Sequence, residues 1–223
     1  YRYTEPAAQD ADAFIAAHRS RGLTLRVKGS DRPAGREPLF LLTVIPVPSR
    51  GPTTPDQAQA AAQQFLATHS LTPTWSFHIT VEAGSSASVV RYERFFDVPG
   101  SPGAPQIDSG GQRAGLEVSV SAGQVAEVAG PLPLQLQRAS YPSRGADSLL
   151  RAALSQPAAG GSTLGAVPRV VLNRAQLVYV AVPAGGYGVY EPAFLFTGTF
   201  QFSGQAYEKR VLVVALDDSE LSG

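Results

Sequence analysis

The chain has 223 residues, 43% of them hydrophobic and 16% charged, which suits a packed protein rather than a disordered one and leaves room for one large domain or two small ones. Eighteen Lys and Arg balance eighteen Asp and Glu, so no global field favours nucleic acid or anionic lipid. The lack of cysteine excludes disulfides, thiolate metal sites and cysteine nucleophiles.

Methionine is also missing and the first residue is Tyr1. We therefore expect a processed or truncated chain, with a removed signal peptide, an anchor upstream or a cloning boundary as alternatives. The longest apolar runs, Leu39 to Val47 and Val211 to Leu216, fall far short of the roughly 20 residues that a membrane-spanning helix needs.

In chain order, Thr4 can cap a first helix with Pro6 in its first turn, and Ala7, Ala11, Phe14, Ile15 and His18 then share one face until Gly22. Leu23, Leu25 and Val27 alternate with Thr24, Arg26 and Lys28, as in a strand with one wet face. The run Leu39 to Ile45 lacks alternation and reads as a strand covered on both faces. Pro46, Pro48, Gly51 and Pro52 close this unit.

Thr54-Pro55-Asp56-Gln57 combines a capping box, a proline at the first helical position and an acid against the helix dipole. Ala58, Ala61, Ala62, Phe65 and Leu66 give that second helix a small-residue face. Trp75, Phe77, Ile79 and Val81 then mark a half-buried strand, and Val90, Tyr92, Phe96 and Val98 mark one face of the next. The Pro- and Gly-rich stretch that follows reads as a loop. It leads into a hairpin, Leu116 to Val120 and Val125 to Ala129, turning at Ser121 to Gln124.

The order then repeats. Ser143 can cap a third helix, with Ala146, Leu149, Leu150, Ala153 and Leu154 on one face, and strands are expected at Ala175 to Val182, Gly188 to Thr199 and Tyr207 to Leu216. Tyr92-Glu93 and Tyr190-Glu191 echo each other in the two second strands, as do Phe96 and Phe194. Sequential strands with few helices favour an antiparallel α+β fold over a doubly wound sheet.

Tyr141-Pro142, Leu177-Val178-Tyr179, Glu191-Pro192-Ala193-Phe194 and the final apolar strand resemble the YycI/YycH type of extracytoplasmic regulator, and more loosely the PepSY-type helix-plus-meander domain. The resemblance covers about residues 53 to 218. It implies an exported, membrane-associated or lipid-anchored bacterial protein that works by contacting another envelope protein, and it does not imply an enzyme. The first 50 residues fall outside it. On this basis we expect an α+β protein of two helix-plus-antiparallel-sheet units, at residues 53–136 and 137–223, with residues 1–52 adding a helix and two strands to the first.

The sequence offers little chemistry. His18, His69 and His78 are dispersed, and no metal-ligand motif or cofactor motif joins them, so no catalytic residue, metal or cofactor is expected. Gly161 to Gly165 lacks the order of a nucleophile elbow, and Gly185-Gly186-Tyr187-Gly188 joins two strands rather than opening a helix. Asp217, Asp218 and Glu220 miss calcium-loop spacing.

Glu93 and Asp97 share a strand face with Arg91, where an acid/base pair competes with cross-strand ion pairing. Arg94 falls by parity on the apolar side. There a guanidinium needs a carboxylate, a carbonyl or a ligand, or else snorkels out at the sheet edge. Arg94, Tyr92, Tyr187 and Tyr190 are therefore the candidate partner- or ligand-binding residues. The leading expectation is a non-enzymatic extracytoplasmic interaction or regulatory module that binds no nucleic acid and uses concave sheet faces or exposed edges. A small apolar ligand in a pocket lined by Phe77, Tyr92, Phe194 and Phe196 is the alternative. A hydrolase built on Glu93, Asp97 or a histidine comes third.

Overall fold

The computed structural model describes residues 1–3, 8–18, 23–28, 39–44, 51–98, 101–108, 111, 113–132, 134, 136–155, 170–183 and 188–216. In chain order the elements are β1 (Arg2–Tyr3), α1 (Ala8–His18), β2 (Leu23–Lys28), β3 (Leu39–Val44), α2 (Pro55–Thr68), β4 (Phe77–Glu82), β5 (Ser88–Val98), β6 (Ser101–Ile107), β7 (Gly115–Ser121), β8 (Gln124–Pro131), β9 (Leu136–Gln137), α3 (Ala146–Ser155), β10 (Val171–Pro183), β11 (Gly188–Phe202) and β12 (Gln205–Val214). The protein is thus of mixed α+β class, dominated by antiparallel strands.

α2 begins where the local chemistry is strongest. The Gln57 amide donates to Thr54 Oγ1 and the Thr54 amide donates to Gln57 Oε1, each at 3.3 Å, so two donors that a helix end would orphan are satisfied reciprocally. Ala58, Ala62 and Leu66 follow on one face and are almost completely buried against β5, β7 and β8. Alanine at two of these positions lets the helix backbone lie close to the sheet.

Below α2 the strands run β2-β3-β8-β7-β5, with β4 on the opposite side of β5 from β7. The core there contains Phe40, Leu42, Val90, Tyr92, Leu116, Val118, Val120 and Val128. β3 lies between β2 and β8, yet Phe40 and Leu42 are buried while Leu39, Leu41 and Thr43 are only half-buried. The strand expected to be covered on both faces is thus buried on one and half-buried on the other.

The stretch expected to be a loop contains β6. It pairs antiparallel with the end of β5 through Phe95↔Pro105 and Phe96↔Ala104, and parallel with β10 through Tyr179↔Gln106 and Val180↔Ile107. Pro102, Gly103 and Pro105 hide it from a sequence reading, because proline lacks a ladder donor and is tolerated only where pairing is short or one-sided. Gly103 takes a φ of 72°, and its amide donates to Asp97 Oδ1 at 3.1 Å, closing the β5–β6 turn.

β10, β11 and β12 form the antiparallel meander expected from the sequence. β1 pairs with β11 through Arg2↔Val189 and with β9 through Arg2↔Gln137, so the residues preceding α1 lie with the later strands rather than with the earlier ones. A Cβ on Gly188 would fall on the ring of Tyr3, which is why the smallest residue stands there.

The third helix departs from expectation twice. Its N-terminal carbonyl is that of Gly145, which accepts from the Leu149 amide at 3.1 Å, while Ser143 instead bridges Leu216. Leu149 and Ala153 are buried against Phe196, Val211 and Val213, but Leu150 is 50% and Leu154 is 75% exposed. α3 packs on β12, the last strand of its meander, so the sheet is narrower than the apolar stripe above it.

Candidate functional site

β5 separates two kinds of chemistry by strict alternation. Its inner face carries Ser88, Val90, Tyr92, Arg94 and Phe96, all buried, and its outer face carries Arg91, Glu93 and Asp97. On the outer face Arg91 Nη1 donates to Glu82 at 2.6 Å and Nε to Glu117 at 2.7 Å, bonds that raise its pKa. Glu93 accepts from Thr80 Oγ1 at 2.9 Å, and Asp97 accepts from Gly103 as described and from Ser76 Oγ at 3.4 Å. The carboxylates considered for acid/base work are engaged in holding neighbouring strands together.

On the inner face Arg94 is only 4% exposed. Its guanidinium carbon lies 5.3 Å from the Trp75 ring centre and 5.2 Å from those of Phe96 and Tyr190, and its Nη1 donates to the Tyr190 hydroxyl at 3.3 Å. Three ring faces compensate part of the desolvation that burial imposes on the cation. The geometry follows from parity plus two neighbours: β4 brings Trp75 alongside, and the β5–β6–β10 link brings Tyr190 of β11 across. Arg94 does not snorkel to the sheet edge.

Arg94 borders a cleft of about 190 Å³ that is lined by Phe14 and Phe40, by residues 70 to 75, by Leu116, and by Pro131, Leu132 and Leu134. The loop from Ser70 to Trp75 shapes its wall. Ser70 leaves α2 with a φ of 55°, and the Leu71 amide turns back to the Leu66 carbonyl at 2.8 Å, which drives the Leu71 side chain into the core. Trp75, the single tryptophan of the chain, touches both the cleft and the guanidinium.

The remaining candidates are placed differently. Tyr92 is 2% exposed in the core under α2, edge-on to Phe77 at 5.1 Å, and burial raises its hydroxyl pKa. Tyr190 is 0% exposed and packs on Tyr3 at 4.9 Å and Phe96 at 5.3 Å. Neither therefore offers surface to a partner. Tyr187 lies outside the described residues, as do Gly161–Gly165 and Asp217–Glu220.

Phe77 and Tyr92 pack with α2 while Phe194 and Phe196 pack with α3, so the pocket expected from these four side chains does not form. His18 Nδ1 donates to the Phe14 carbonyl at 2.8 Å, His69 lies on Phe65 and His78 stacks on Phe95 of the neighbouring strand. Among the described residues no group of His, Asp or Glu could hold a metal ion, and no helix is long and apolar enough to cross a membrane.

Two features lay beyond sequence reasoning. One is the cleft itself, assembled from α1, β3, the α2–β4 loop, the middle of β5 and the ends of β7 and β8. The other is the outer edge of β12. The Arg144 amide closes it near the far end by donating to the Ala215 carbonyl at 2.8 Å, whereas Gln205, Ala206, Tyr207, Glu208 and Arg210 are exposed. Tyr207 stacks across the hairpin on Phe200 at 5.5 Å, beyond the reach of α3.

Buried Glu191 is the other titratable group of note in the second half. Desolvation holds its carboxyl above the usual range.

No family model matches the chain, and a search of curated proteins finds no match. Among solved structures the chain is similar to the Bacillus megaterium YpeB C-terminal domain, at a TM-score of 0.37 and 8% identity over 96% of this chain and 100% of that one. So loose a likeness carries no argument about family or activity, and the α+β class rests on the elements described above.

Proposed function

We propose that the chain is a non-enzymatic, extracytoplasmic interaction module that binds or restrains another envelope protein by accepting a strand along the open half of the β12 edge. The observation that carries this reading is the uneven closure of that edge. β12 pairs with β11 along its whole length, from Phe202↔Gln205 to Ala193↔Val214. Across the two-residue turn at Ser203-Gly204, antiparallel alternation points the amides of Tyr207 and Lys209 at β11 and those of Ala206, Glu208 and Arg210 away from it.

Such an edge is a template for another strand. Its charges, with Arg210 bonded to Glu208 at 2.9 Å, oppose indiscriminate self-pairing while leaving the backbone groups reachable. Exposed Tyr207, stacked on half-buried Phe200 beside it, supplies an aromatic anchor of the kind that carries interface energy. The engagement of Glu93 and Asp97 by neighbouring strands supports a non-catalytic role. The division of the chain at residues 52 and 136 belongs to the same proposal, with Arg2 and Tyr3 assigned to the second unit.

Photo-cross-linking from position 208, in envelope preparations of cells that make the protein, is expected to give a discrete adduct. Ala206→Pro removes an outward N–H without removing a bond to β11, and is expected to abolish that adduct while the unfolding midpoint holds. An undiminished adduct in this variant, or an equal one from position 78 on β4, would overturn the proposal.

A further inference from the structure

We infer that the strand accepted by the β12 edge carries an acidic residue opposite Lys209, with a β-branched or aromatic residue opposite Tyr207. This rests on the edge reading above and names the chemistry of the partner. By alternation, Tyr207 and Lys209 share the face on which α3 covers Val211 and Val213, and Ala206, Glu208 and Arg210 share the other.

The two faces differ in charge. On the face away from α3, Arg210 donates to Glu208 through Nε at 3.0 Å and Nη2 at 2.9 Å, so these two charges satisfy each other before any strand arrives. On the α3 face Lys209 is half-buried and forms no ion pair among the described residues.

β11 cannot supply the missing charge. The residue opposite Lys209 is Gly198, flanked on the same face by Phe196 and Phe200. A Cβ on Gly198 would fall on the Val171 carbonyl, close to the irregularity of β10 between Leu172 and Arg174. Along β12 the neighbours of Lys209 on this face are Tyr207 and Val211, and neither is an acid. The cross-strand position left for a counter-charge is on the open side of β12.

An antiparallel strand added there meets Tyr207 and Lys209 at close range. Their amides point at β11, so on the open side both are non-hydrogen-bonded positions, where opposite side chains approach most closely. An opposite charge favours this register and a like charge opposes it, while the exposed ring of Tyr207 favours a β-branched or aromatic neighbour. A slip by one residue would turn the acid to the face where Glu208 and Arg210 are already paired.

The test is a titration with the capped heptapeptide Thr-Val-Thr-Glu-Thr-Val-Thr, followed by the backbone amide NMR signals of Ala206, Glu208 and Arg210. In either strand direction, setting the glutamate opposite Lys209 also sets a valine opposite Tyr207. This peptide is expected to bind about tenfold more tightly than its counterpart with lysine at the centre, and about threefold more tightly than that with glutamine, as an attractive pair compares with a repulsive and a neutral one. Replacing both valines with serine should weaken it about threefold. Lys209→Glu should reverse the order of the glutamate and lysine peptides, and the milder Lys209→Gln should level it.

Equal affinities for the three peptides while the three amide signals move, or a glutamate preference that survives in Lys209→Glu, would overturn this inference and leave the edge reading standing. An undiminished affinity of the serine peptide would remove the role of Tyr207. No movement of these signals with any peptide would overturn both readings.

Discussion

α2 and α3 carry the same i, i+3, i+4 spacing of apolar residues and end up differently buried. α2 lies over β5, β7 and β8, and its Ala58, Ala62 and Leu66 are lost from solvent; α3 lies on β12 at the end of its meander and leaves Leu150 and Leu154 in water. The spacing states what a helix offers for burial. The width of the sheet beneath decides how much of it is used, and that width is a long-range property which no helical window contains.

The contrast can be broken by substitution. Leu66→Ala should cost about 2 to 5 kcal/mol in urea unfolding, because the buried site beneath α2 cannot collapse around the lost methyls. A loss near zero would mean that α2 is not seated as described. In the second half, ring packing takes over part of the role that a broad helix contact has in the first. Gly188→Ala is therefore expected to cost ~1 to 3 kcal/mol, since the added methyl meets the Tyr3 ring; a neutral result would detach β1 from β11.

Smaller effects sharpen the comparison. Ser70 holds a left-handed conformation at the end of α2 without being glycine, so Ser70→Gly should stabilise by about 1 kcal/mol, read as a raised melting temperature. Leu154→Ala on the open side of α3 should change stability by no more than about 0.5 kcal/mol. A cost comparable to that of Leu66→Ala would show that Leu154 is covered in solution.

The buried carboxyl of Glu191 gives a pH test. Burial raises its folded-state pKa, so between the unfolded and folded values the folded state holds a proton that the unfolded state has released. Its stabilising contribution is complete below the ordinary carboxylate range and is lost as pH rises through the raised value. Glu191→Gln should accordingly melt higher than the parent at neutral pH, with the difference closing in acid. A variant that melts lower at neutral pH, with an unchanged pH profile, would contradict burial as the main cause.

Much of the fold was legible locally. The Thr54 capping box, the alternation of β5 and the turn between β7 and β8 depend on neighbours within a few residues, and each stands where the sequence put it. β6 was not legible, because Pro102, Gly103 and Pro105 carry the local signal of a loop while its pairing partners are supplied from β5 and β10. The burial of Arg94 followed from parity, but its companions did not: Trp75 lies 19 residues away along the chain and Tyr190 lies 96. The same distance explains why Tyr92 and Tyr190, similar in sequence context, occupy separate cores rather than one surface.

The central claim is that half of the β12 edge stands open for another strand. Amide hydrogen exchange along Gln205–Arg210 tests it most directly. We expect alternation in the isolated protein, with Tyr207 and Lys209 protected and Ala206, Glu208 and Arg210 exchanging fast, and selective slowing of the latter three when a partner binds. Uniform protection of all five amides in the isolated protein would mean that the edge is already occupied, and would contradict the account.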